Sequence, residues 1–196
     1  ARCAVDDAKL VTRNGAPEGD VTTTHVQTTY PGNRMGCQIG AGLIAAETDE
    51  LAMGLATATD APGNFQLRAW GTATASDGTT GRGGMNNLQP LWLLKYLPNM
   101  LACHVTIIHG AEGPSNTITC AEASGLLSLG ESCRVIERGA ADLCFSGSAE
   151  SKLNLMGFLR MQLAGRLATT GDATDGSTIV RPYDPESTGA ILGEGG

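Results

Sequence analysis

Two side chains able to do acyl chemistry, Cys120 and Glu122, stand two residues apart where an extended stretch gives way to a helical one. Asn116–Cys120 reads as a strand, and residues 123–138 (ASGLLSLGESCRVIER) carry apolar side chains at helical spacing up to Gly139. A strand that turns abruptly into a helix holds one side chain at its corner, above unpaired N–H groups and the positive end of the helix dipole. That setting favours an anion and activates a thiol by holding it as thiolate, the arrangement of a nucleophile elbow. The same pattern also fits an ordinary strand-to-helix turn in an α/β layer, with Cys120 a buried small side chain.

The other reactive residue types carry weaker signals. Gly40-Ala-Gly42 lacks both a GxGxxG pattern and a P-loop lysine, and reads as a packing turn. Glu47, Asp49 and Glu50 suit the start of a helix, where carboxylates complement the dipole. The six cysteines form no CxxC pair and no metal spacing, so they read as small buried side chains in a reducing compartment, with the cytoplasm as the expected location. No metal and no cofactor is expected. Arg134 and Arg138 fit the carboxyl end of the elbow helix, His25 and His109 read as solvated loop or turn residues, and Lys95 and Arg160 as surface charges.

Elements must position the corner. Arg34–Gly40 reads as a buried strand and Glu47 to about Ala58 as a helix opened by Thr48. Residues 60–86 read as loop, and 90–103 as a helix kinked at Pro98. A strand is expected over His104–Ile108, a turn over Gly110–Pro114, a strand over Asp142–Ser146 and a helix over Leu153–Leu163. With 27 glycines, 4% aromatics and 41% hydrophobic residues in 196, the composition suits one layered α/β domain with many tight turns. A net charge of −7 opposes binding to nucleic acid or anionic lipid, no apolar run is long enough to span a bilayer, and ARCAVDDAKL lacks a signal-peptide layout.

The run from Gly113 to Gly125 (GPSNTITCAEASG) resembles the active-site segment of β-ketoacyl-acyl-carrier-protein synthases. Asn99-Met100 through His104, Asp142–Glu150, Gly157-Phe158, Arg166–Thr169, Arg181–Asp184 and Gly193–Gly195 resemble further landmarks of that family, in its order. The resemblance implies a thiolase-like fold of layered α-β-α type, with residues 1–196 forming its amino-terminal half, without the first strand and the second half. It also implies an acyl carrier protein as partner, a homodimer or a heterodimer with a cysteine-bearing ketosynthase joined through strand 116–120, and a complementary second half. The histidines and lysine that act on substrate in the family belong to that second half, while His104 is implied to be structural.

At the corner the sequence departs from the family. With Gly113-Pro114 and Ser124-Gly125 in register, Glu122 stands where the nucleophilic cysteine belongs, and Cys120 lies two residues earlier. A carboxylate attacks a thioester poorly and would form a reactive mixed anhydride. The expectation is therefore a non-condensing subunit of fatty-acid or polyketide assembly, similar to the chain-length factors. The alternatives are an active synthase using Cys120, a malonyl-thioester decarboxylase that needs Glu122 protonated, and a non-enzymatic structural protein.

Overall fold

β1 (Met35–Ala41) is buried along its whole length, as a strand covered on both faces must be. The computed structural model describes residues 1–15, 27–42, 47–74 and 80–196. In chain order the elements are α1 (Arg2–Asp7), β1, α2 (Thr48–Ala56), α3 (Leu67–Gly71), β2 (Thr72–Thr74), β3 (Thr80–Arg82), α4 (Met100–His109), β4 (Ser115–Ile118), α5 (Ser124–Glu137), β5 (Leu143–Ser151), α6 (Leu155–Leu163) and β6 (Glu194–Gly195). They divide into two compact units, Ala1–Leu43 with Leu97–Glu150 and Gly195–Gly196, and Ile44–Tyr96 with Ser151–Glu194.

In the first unit β1 pairs in parallel with β4 on one side and β5 on the other, in a sheet of order β4-β1-β5-β6. Alternate residues of β1 point to opposite faces. Cys37 and Ile39 form a core with Ala102, against which Leu101, Val105 and Phe145 pack. On the other face, a Cβ at Gly40 would sit 2.6 Å from the backbone of Ser124, so α5 approaches β1 closely only because Gly40 has no side chain. α5 turns Ser124, Ser128, Ser132 and Val135 inward. The proton of Ser128 Oγ is shared between Gly125 O at 2.7 Å and Gly147 O of β5 at 3.0 Å. The helix stops before Gly139, whose φ of 71° places it in the left-handed region.

Several expectations need correction. His104–Ile108 belongs to α4, not to a strand, and the chain begins that helix only after Pro98. The β-branched run suggests a strand, yet Leu101, Val105 and His109 recur at helical spacing, and the inward side of α4 joins the core. Gly110, at φ 70°, closes the helix. His109 is not solvated: it is 1% exposed, its Nδ1 lies 2.8 Å from Thr12 Oγ1, and its ring stacks on Phe145. Burial pushes its pKa below the ordinary histidine value. His25 lies outside the described residues. The cysteines are free, but only Cys37 is fully buried, with its thiol pushed up to about 12 by burial, while Cys3, Cys120 and Cys133 are exposed. β4 ends at Ile118, short of Cys120, and β5 runs past Ser146 to Ser151.

In the second unit α2 carries Asp49 and Glu50 in its first turn, as the acidic run implies. Glu50 accepts hydrogen bonds from both Lys95 and Tyr96, which hold its pKa below the usual carboxylate range. Lys95 is therefore an ion-pair partner on the short 3-10 turn Trp92–Tyr96. Residues 60–86 are not all loop: they hold α3 and the β2–β3 hairpin. These short pieces pack through glycines, with Gly84 laid directly against the backbone of Gly54, which leaves no apolar periodicity to read. α6 begins at Asn154, whose side chain accepts the Gly157 N–H at 2.7 Å.

Candidate functional site

The corner after β4 is sharp because Ala121 takes φ 48°, a left-handed conformation that a residue with a Cβ rarely adopts. A 3-10 turn over Ala121–Ala123 carries the chain into α5, closed by Ala123 N–H donating to Cys120 O at 3.1 Å. Ser124, 5% exposed, accepts the Cys120 N–H at 2.8 Å and donates to Ala121 O at 2.7 Å. These bonds bracket the turn.

A cavity of about 390 Å³ opens beside this corner. Its functional walls are Glu122 and Ser124 from the corner, Ser148 and Glu150 from β5, and the backbone of Gly40–Gly42 and Gly195–Gly196. The β1–β5 register, with Ala41 opposite Ala149, brings Glu150 next to Gly42. The Glu150 carboxylate fills the space a Cβ on Gly42 would need. Ser148 Oγ likewise lies 2.7 Å from where a Cβ on Gly125 would stand.

Of the two corner residues singled out from sequence, Glu122 lines the cavity and Cys120 does not. Cys120 is exposed, so the reading of it as a buried small side chain is corrected. No cysteine, histidine, lysine or arginine is among the described residues that line it. Among its described lining residues the cavity thus brings two carboxylates and two hydroxyls together, without a thiol. No group of three or more potential metal ligands comes together among the described residues. Glu150 and the Gly195–Gly196 backbone were not picked out as site residues. The signal for Glu150 was its place at the end of a strand paired with the one that leads into Gly40–Gly42, which needs the pairing register to be read.

The family model for the β-ketoacyl synthase N-terminal domain matches residues 36–196. The chain belongs to that family. A mitochondrial 3-oxoacyl-[acyl-carrier-protein] synthase of Arabidopsis thaliana is 30% identical over 111 residues, which is 57% of this chain and 24% of the relative. A 3-oxoacyl-[acyl-carrier-protein] synthase 2 of Staphylococcus aureus is 30% identical over 112 residues, 57% of this chain and 27% of the relative. The matched stretch thus spans about a quarter of these relatives. Among solved structures, one described as a type II polyketide synthase acyl-carrier protein in complex with its ketosynthase superposes over 98% of this chain and 39% of the other. Its TM-score is 0.64 at 18% identity, a likeness of fold. The thiolase-like α/β fold of an amino-terminal ketosynthase half is therefore established for this β-ketoacyl synthase family chain. No helix among the described residues is long and apolar enough to cross a membrane.

Proposed function

We propose that the chain forms part of a ketosynthase-fold subunit in fatty-acid or polyketide assembly that shapes an acyl site without condensing acyl chains itself. One observation carries this reading: at the corner where the family places its thiol, Glu122 lines the cavity and Cys120 lies off its wall. Acyl transfer between thioester and thiolate is nearly balanced, whereas transfer onto a carboxylate gives an anhydride, so residue 122 is a poor acyl acceptor. Glu150 lines the same cavity, so its wall carries a second carboxylate and no thiol at the corner.

The role is that of a chain-length-factor-like partner, working in the cytoplasm beside a cysteine-bearing ketosynthase and fed by an acyl carrier protein. The similar solved structure, a ketosynthase with its carrier, supports the carrier as partner. β4 is the outer strand of its sheet, which suits pairing of that strand with a counterpart across a dimer axis. Leu126 and Leu129 of α5, 79% and 54% exposed, suit burial against a complementary second half, of which residues 1–196 would be the amino-terminal counterpart.

The test is to incubate the protein with an acyl-carrier thioester, alone and beside a cysteine-bearing ketosynthase, and weigh it intact. The expected result is no adduct, with condensation appearing only in the mixture. An adduct mapped to Cys120 would instead mark a working synthase, and failure to bind any acyl carrier would mark a structural protein. Glu122→Cys should gain acylation only once the second half is supplied.

A further inference from the structure

We infer that Ser124 is a positioning residue for the corner: its hydroxyl locks the left-handed turn at Ala121 and thereby fixes residue 122, rather than residue 120, on the cavity wall. Cys120 and Glu122 flank Ala121, so the backbone angles at Ala121 decide which of two chemically different side chains meets the cavity. At φ 48° that residue is held against its own preference and needs something to hold it. Ser124 is placed to do so. One hydroxyl takes the Cys120 N–H at 2.8 Å and gives its proton to Ala121 O at 2.7 Å, gripping the turn on both sides of the strained bond.

Ser128 and Ser132, on the same face of α5, also bond carbonyls one turn back, Gly125 O and Ser128 O. Those carbonyls lie within the helix, where the ladder already fixes the backbone. Ser124 differs in spanning the corner itself, where no helical ladder does so. It is 5% exposed, so water competes little for either bond.

This inference rests on residue 122 being the apex residue, and one labelling experiment separates the two ideas. The full chain carrying Glu122→Cys is alkylated across a pH series, and each cysteine is followed by peptide mass spectrometry. Exposed Cys3 and Cys133 serve as internal references for the extent of labelling, and buried Cys37 reports whether the fold is intact. The thiol introduced by Glu122→Cys should react with a pH midpoint about one unit below the ordinary value of ~8.5, because the start of α5 favours its thiolate. Adding Ser124→Ala should return that midpoint toward ~8.5 and slow labelling at neutral pH about tenfold, with Cys37 still protected. Ser124→Thr, which keeps the hydroxyl, should hold the midpoint low. A low midpoint that Ser124→Ala leaves unchanged overturns the lock but not the apex reading. An ordinary midpoint with Ser124 in place overturns both. Should Ser124→Ala expose Cys37 to label, the Cys120 amide of the unsubstituted protein decides: hydrogen exchange slowed at least about tenfold supports its bond to Ser124, and unprotected exchange refutes it.

Discussion

A single methyl group at Gly40 should loosen the corner more than any surface change. The Cβ of Gly40→Ala would stand 2.6 Å from both the carbonyl carbon and oxygen of Ser124, and 2.8 Å from Gly125 N. Comfortable carbon contacts lie at about 3.5–4.0 Å, so the shortfall is about 1 Å. The crowded atoms are backbone, not the tip of a side chain that could swing aside, so the start of α5 must retreat from β1. Overpacking of this kind costs about 1–3 kcal/mol. Retreat also stretches the two bonds Ser124 makes across the corner, at about 0.5–1.5 kcal/mol each. A loss of about 3 kcal/mol follows, which at about 1–3 kcal/mol per molar urea lowers the unfolding midpoint by about 1–3 M. Gly130 lies on the same helix with nothing within 4 Å of its would-be Cβ, so Gly130→Ala should move stability the other way, by about 0.5–1 kcal/mol. Urea unfolding followed by circular dichroism reads both. A loss below about 1 kcal/mol for Gly40→Ala would refute the close approach of strand and helix.

His109 is neutral in its buried place, with its pKa lowered first by burial and then by the nearby α-amino group of Ala1. The stability it contributes is whole above the unfolded value of about 6.5 and drains away as pH falls below that value. Urea midpoints measured from pH 7 to 5 should therefore fall more steeply for the unsubstituted protein than for His109→Phe; parallel slopes would count against burial of the ring. Asn154→Ala removes the cap of α6 and should cost about 1 kcal/mol, and no loss in the same unfolding assay would mean the cap bond is not made in solution.

The corner was legible because its parts are local. Strand, abrupt turn and amphipathic helix follow one another in sequence, and Gly139 ends α5 where left-handed geometry calls for a glycine. β1, α2 and α6 were legible for the same reason. α4 was misread because Val105-Thr-Ile-Ile108 has the composition of a strand, and only contact with Cys37 and Ile39 decides for a helix. The wall opposite Glu122 escaped notice because Glu150 reaches it through a pairing between strands far apart in sequence. The Thr12–His109 bond, 97 residues apart in the chain, was hidden for the same reason.

The pairing of β1 also bears on how the chain is made. Met35–Ala41 is synthesised well before both strands that flank it, β4 and β5, which follow only after the whole stretch to residue 115 and beyond has been translated. Contacts so distant form slowly, since loop closure must precede any gain from them. A bare, water-averse ribbon with no neighbour is a magnet for other nascent chains, so translation pauses or chaperone depletion between residues 41 and 115 should drive this protein into aggregates, even though the finished strand is buried from end to end.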